Sequence, residues 1–189
     1  GKILAIGAHY NSSVGHVRVY KNNSGSWEQI GNDIDGENQN DEFGCSVSLS
    51  SDGSIVAIGA IKNDGGAKNS GHVRIYKNNS GTWQQIGSDI DSKYPNETLG
   101  WSVSLSKDGS NLVVGSPRFG DRNGRVRPSN VRVYKNNNGN WQQVGSDIEE
   151  VSNNNSIAKN IGQFVQISSD GKIIAFSAHS GYVKVFENK

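Results

Sequence analysis

"VRVYKNNSGSWEQIG" (Val17–Gly31) returns as "VRIYKNNSGTWQQIG" (Val73–Gly87) and again as "VRVYKNNNGNWQQVG" (Val131–Gly145). In each copy apolar residues alternate with polar ones, Val17 and Val19 against Arg18 and Tyr20 in the first. Alternation of this kind is the period of a half-buried strand. The Asn-rich run that follows ends in Gly and supplies a turn. A second strand then opens at Trp27, Trp83 or Trp141. The stretch is therefore a β-hairpin, and its recurrence predicts a repeat architecture.

Two further landmarks keep the same order along the chain. "FGCSVSLSSDG" (Phe43–Gly53) returns as "LGWSVSLSKDG" (Leu99–Gly109) and "IGQFVQISSDG" (Ile161–Gly171). "ILAIGA" at Ile3 returns as "IVAIGA" at Ile55, "LVVGS" at Leu112 and "IIAFSA" at Ile173. The hairpin strand starts at Val17, Val73, Val131 and, as "VKVF", at Val183, so the spacings are 56, 58 and 52 residues. Each unit reads as four antiparallel strands. Strand one carries Val47 and Leu49 against serines, and the turn after it is Asp-Gly, a strong hairpin signal. Strand two is apolar on both faces, as a covered central strand would be. Strands three and four are the quoted hairpin. The expected fold is all-β, with propeller-type blades of four antiparallel strands and about three and a half repeats of ~56 residues. Residues 1–35 form a partial blade (strands two to four), 43–91 and 99–149 form blades, and 161–189 form a partial blade (strands one to three). Together they read as one propeller-type domain or fragment, an open arc whose end sheets each lack a strand. Residue 1 is Gly and Met is absent, which reads as a processed chain or a piece of a longer one.

The ordered landmarks resemble the FG-GAP repeat of integrin α-chain-like β-propellers. Phe43-Gly44 stands for the FG element; Gly59-Ala60 and Gly115-Ser116-Pro117 stand for the GAP element. Gly71 to Tyr76 matches the strand that follows. There is a weaker similarity to WD40-type blades, whose period is shorter and whose Trp-Asp ending is missing here. Many FG-GAP repeats carry an Asp-rich calcium loop between strands one and two. Here that link is only "SSDGS", "SKDGS" or "SSDGK". One carboxylate cannot supply the six to eight oxygens calcium prefers, so no metal or cofactor is expected from that site.

Composition narrows the function. Lys plus Arg is 19 and Asp plus Glu is 18, a net charge of +1, which favours neither nucleic acid nor an anionic membrane. No apolar run is long enough for membrane insertion as a helix. Acidic pairs recur at Asp33/Asp35, Asp89/Asp91 and Asp147/Glu149, with Glu37 and Asp41 beside the first. They read as solvated loops; calcium ligation is the alternative. His16 and His72 share one repeat position, as do His9 and His179. Equivalent positions in different blades lie apart, so the histidines are not expected to form one metal cluster. Cys45 has no recognisable catalytic partner.

Trp27, Trp83 and Trp141 hold one aromatic per blade, for packing between blades or for stacking on a sugar ring. Asn11, Asn22, Asn78, Asn96 and Asn154 each open an Asn-x-Ser/Thr sequon and are candidate glycosylation sites. The expected function is a non-catalytic extracellular or cell-surface module for adhesion or structural assembly. Its expected partner is another protein, or further copies or repeats of itself that complete the propeller. A carbohydrate-binding propeller is the alternative. A propeller enzyme acting on polysaccharides comes third, because no catalytic constellation is visible and the chain is expected not to be an enzyme.

Overall fold

The quoted hairpin closes as its chemistry dictates. Ser24 and Gly25 both take positive φ, 53° and 101°, as do Ser80 and Gly81 and then Asn138 and Gly139. Two successive residues at positive φ make the tight turn that matches strand twist. The side chain before the turn fixes it, because Asn22 Oδ1, Asn78 Oδ1 and Asn136 Oδ1 each accept from the turn glycine's N–H at 2.7–2.8 Å.

The computed structural model describes residues 2–10, 14–117, 129–149, 160–178 and 181–187. Blade one holds β1 (Ile3–Ala8), β2 (His16–Asn23), β3 (Ser26–Gln29) and β4 (Ile34–Asp35). Blade two holds β5 (Phe43–Leu49), β6 (Ile55–Ala60), β7 (His72–Asn79), β8 (Thr82–Gln85) and β9 (Ile90–Asp91). Blade three holds β10 (Ser102–Leu105), β11 (Asn111–Ser116), β12 (Asn130–Asn137) and β13 (Asn140–Glu149). Blade four holds β14 (Ile161–Ile167), β15 (Ile173–Ala178) and β16 (Val183–Glu187). Each sheet is an antiparallel meander in chain order. The described residues contain no helix.

Strand four runs further than the sequence implied. Expected to end near Gln-Ile-Gly, it breaks at Gly31 and Gly87 (φ 72° and 77°). It then resumes as β4 and β9, which pair with the first residues of β2 and β7. In blade three the two pieces merge into the single β13, with a bulge opposite Val131 to Val133. The recurrent Asp pairs are thereby fixed beside the start of strand three instead of lying in free loops.

The cores lie between sheets. Val56 and Ile58 of β6 pack with Val17 and Ile34 of blade one. Leu112 and Val114 of β11 pack with Val73, Ile75 and Ile90 of blade two. Ile174 and Phe176 of β15 pack with Val131 and Val133 of blade three. A sheet that is apolar on both faces has no alternative to a neighbour on each side.

Candidate functional site

Three places gather side chains with chemistry: the groove along the strand-one edges, the gaps that hold the tryptophans, and the polar clasps where strands three and four begin and end.

The groove is open and has a volume of about 760 Å³. The strand-one segments of blades two, three and four contribute to it through equivalent residues, Cys45, Trp101 and Gln163 on one row and Val47, Val103 and Val165 on another. Tyr10, Lys62 and Phe164 complete the rim, where Lys62 pairs with Glu42 at 2.5 Å. Tyr10 is 79% exposed and Phe164 73%. The Cys45 thiol is pushed up to about 11, chiefly by burial, which opposes formation of the nucleophilic thiolate. The groove was missed in the sequence. Its signal was there: aromatic residues at 101 and 164, where other copies of the repeat hold Cys or Ser.

The tryptophans occupy one repeat position with three different environments. Trp141 is buried against blade two, near Gly87. Trp83 is half-buried, and its Nε1 donates to the Ile30 carbonyl of blade one at 2.9 Å. Trp27 is 47% exposed, because no blade precedes it among the described residues. The position thus faces the preceding blade. Of the sequon residues, Asn22 and Asn78 hold the hairpin turns with their side-chain oxygens. Asn96 sits at φ 56° and accepts from Asn69 Nδ2 at 3.4 Å. Asn11 and Asn154 lie outside the described residues.

The third place is a repeated clasp. The second residue of the VRVY motif pairs with the first acid of the strand-four pair: Arg18 with Asp33, Arg74 with Asp89, Arg132 with Asp147. In the two inner blades an acid from the preceding linker joins, Glu37 on Arg74 and Glu97 on Arg132. Burial alone would raise the Asp89 carboxyl, but hydrogen bonds from Arg74 and Gln85 outweigh it and hold it below the usual range. Glu97 is shifted upward, because burial outweighs the opposing pull of Arg132. The histidines belong here too. His16 lies with Asp33 and Asp35, and His72 with Glu37 and Asp89. Equivalent histidines are in different blades, as expected, but each meets the acid pair of its own blade. Residue spacing alone could not show this, because it depends on the resumed strand four.

The Asp-Gly turns use their carboxylates internally. Asp52 accepts from the Ser50 hydroxyl at 2.6 Å and from the Ser54 N–H at 3.0 Å, and Asp108 repeats this with Ser106 and Ser110.

Comparison with known proteins agrees with this geometry. Residues 34–76 match the FG-GAP repeat. The matched span runs from β4 through the linker, strand one and strand two to Tyr76 of β7. No curated protein matches the chain. Among solved structures the chain is similar to the periplasmic gluconolactonase PpgL of Pseudomonas aeruginosa, at 19% identity and a TM-score of 0.60, covering 98% of this chain and 49% of that one. It is also similar to a chain of the mitotic checkpoint complex, at 13% identity and a TM-score of 0.60, covering 100% and 48%. A third is Hsv2 of Kluyveromyces lactis, at 17% identity and a TM-score of 0.57, covering 93% and 46%. The chain therefore has a β-propeller fold and spans about half the length of these structures. No helix among the described residues is long and apolar enough to cross a membrane.

Proposed function

We infer that the protein is a non-catalytic propeller module that works through protein–protein contacts, in adhesion or assembly outside the cell. The observation that carries this is the state of the two end faces. Leu4 and Ile6 of β1 are 45% and 49% exposed, whereas Val56 and Ile58, at the same positions in β6, are fully buried. Val183 and Val185 of β16 are likewise exposed, whereas their counterparts Val73 and Ile75 are fully buried. Apolar faces of this kind need a covering neighbour, either further blades of a longer chain or a protein partner. The face of blade one repeats the pattern of the internal interfaces and suits a further blade of the same type. The face of blade four suits a protein partner. The extracellular placement rests on the resemblance to integrin-type repeats and on the sequons.

The sugar-binding alternative has one supporting observation, the exposed Trp27 indole. It is weakened because Trp83 and Trp141 hold the same repeat position between blades.

Light scattering after size-exclusion chromatography tests the reading. The isolated chain is expected to self-associate as concentration rises, and Ile6→Asp with Val185→Asp to return it to a monomer. A wild-type chain that stays monomeric at about 100 μM, where even weak apolar contacts register, overturns it. Binding to a glycan array that disappears in Trp27→Ala would favour the sugar reading instead.

A further inference from the structure

We propose that the clasp of blade two is a binding site for a divalent metal ion of the zinc type, held by His72, Asp89 and Asp91 with Glu37 from the preceding linker. Neither the FG-GAP resemblance nor the propeller fold suggests it, because the metal loop of that repeat lies elsewhere, at the strand-one turn.

The first observation is His72 itself. Its ring is 1% exposed, and neither Nδ1 nor Nε2 has a hydrogen-bond partner. A buried imidazole without a partner loses its hydration for nothing in return. Its Nδ1 points at two carboxylates, lying 3.7 Å from Asp89 Oδ2 and 3.8 Å from Asp91 Oδ1. Those separations are too long for hydrogen bonds. They are close to the edge of a coordination tetrahedron with bonds near 2.1 Å, about 3.4 Å. A ligand atom of Glu37 falls within the same 4.8 Å cluster as those of His72 and Asp89.

The second observation comes from the repeat. In blade three Asn130 stands where His72 stands, and its Nδ2 donates to Glu97 Oε1 at 2.6 Å. Glu97 occupies the place of Asp41. In blade two Asp41 instead accepts from Asn63 at 2.7 Å, and His72 is left without the acceptor that takes the Asn130 amide N–H. Lys93 takes the position of Glu37, so blade three has no imidazole and its linker acid is Glu97, already engaged by Asn130 and Arg132. Blade two alone among the described blades combines a buried histidine, a strand-four acid pair and a linker acid.

Charge points the same way. Glu37, Asp89 and Asp91 carry three negative charges against one on Arg74, a surplus that a divalent cation would neutralise. Arg74 and Gln85 already hold Asp89 by hydrogen bonds. Outer groups of this kind orient a ligating carboxylate. A mixed set of one imidazole nitrogen and carboxylate oxygens suits Zn²⁺ or its substitute Co²⁺ better than calcium, which prefers oxygen alone.

The probes are the metals themselves, added to the purified 189-residue protein. Titration with Zn²⁺ is expected to saturate at about one ion per chain, and Co²⁺ to give a visible absorption band of a nitrogen- and oxygen-ligated site. His72→Asn, the blade-three residue, is expected to remove the band and weaken binding by about tenfold or more, since even outer-shell losses cost that much. His16→Asn, in the exposed counterpart of blade one, is expected to leave both unchanged. Circular dichroism checks that His72→Asn folds; if it does not, Asp91→Asn at the half-exposed edge is expected to show the same loss. Absence of binding, binding unchanged in a folded His72→Asn or in Asp91→Asn, or loss in His16→Asn alone overturns the proposal.

Discussion

Replacing Gly59 with Ala tests the way the blades meet. Gly59 lies in β6, and a Cβ there would point into the corner of blade three. It would lie 2.9 Å from the Gly100 carbonyl carbon and 2.5 Å from Ser46 Oγ, with the carbonyl oxygen closer still. Real Cβ atoms essentially never come within 3.0 Å of other heavy atoms. The Ser46 hydroxyl can turn, although it would lose its hydrogen bond to Gly100 O at 2.6 Å. The carbonyl cannot move without shifting the whole corner, because Gly100 is held at φ 91° and the adjoining Leu99 is fully buried. Overpacking of this kind costs about 1–3 kcal/mol, and a rigid backbone on both sides places Gly59→Ala near the top of that range. With roughly 2–4 °C lost per kcal/mol for a chain of this size, the melting temperature should drop by about 6–12 °C. Calorimetry measures it directly. Ser177→Ala, at the same repeat position in blade four, serves as the control: a Cβ is already accommodated there and only a buried hydroxyl without a partner is removed, so it should not lower the melting temperature. A Gly59→Ala protein that melts within about 2 °C of wild type, about 0.5–1 kcal/mol, would refute blade contact through this corner.

Other consequences follow from the gradients along the repeat. Trp141→Ala should cost about 3–5 kcal/mol as a core truncation, Trp83→Ala less, and Trp27→Ala least, measured by denaturant unfolding. Glu97→Ala should cost about 3 kcal/mol, because it leaves the buried Arg132 guanidinium short of a partner, whereas Arg18→Ala in the exposed counterpart should leave the unfolding midpoint unchanged. The carboxyls of Asp52 and Asp108 are held below their usual range, first by the Ser50 and Ser106 hydroxyls and then by backbone N–H groups. A depressed folded value means their contribution is complete above the unfolded value of about 3.9 and fades as pH falls through the folded one. Melting scans between about pH 5 and pH 3 should therefore be flatter in the Asp52→Asn, Asp108→Asn double variant. Because these carboxylates are already engaged, calcium at about 1 mM, ample for weak extracellular-type sites, should leave the melting temperature unchanged.

The strands were legible in the sequence because their signal is local. Val17 and Val19 alternate, Asp52-Gly53 turns, and Ser-Gly or Asn-Gly closes the hairpin, each within a few residues. The function of the tryptophan position was only half legible. A repeat shows that Trp27, Trp83 and Trp141 are equivalent but not that they face the preceding blade, and that direction decides why Trp27 differs from Trp141. The clasp was hidden for a different reason. His72, Glu37 and Asp89 lie 35 and 17 residues apart, and they meet only because strand four resumes after Gly87 and returns Ile90–Asp91 to the start of β7. Bulges of this sort leave little trace in a hydrophobic pattern. The groove needed the arrangement of three sheets at once, although the replacement of Ser46 by Phe164 at one repeat position was a visible hint.

That replacement also separates the two ends of the arc. At the internal interfaces the incoming corner places the carbonyl of Gly100 or Gly162 against Gly59 or Gly115, and Ser46 or Ser102 donates to it at 2.6 or 2.8 Å. Blade one offers the same glycine, Gly7, to Gly44 of blade two. Blade four breaks the pattern twice, with Phe164 for the serine and Ser177 for the glycine. At 177 a side chain with a buried hydroxyl stands where the other blades have only a glycine, and a phenyl ring at 164 cannot donate to an incoming carbonyl. The face of blade four therefore rejects the corner that the other three accept, while Leu4, Ile6 and Trp27 keep the face of blade one open to a blade of the usual kind. A ring built only of copies of this chain would have to join the one face to the other, and the geometry of Phe164 and Ser177 opposes that joint. The exposed Phe164, Val183 and Val185 therefore call for a neighbouring edge different from the strand-one corners of blades two, three and four.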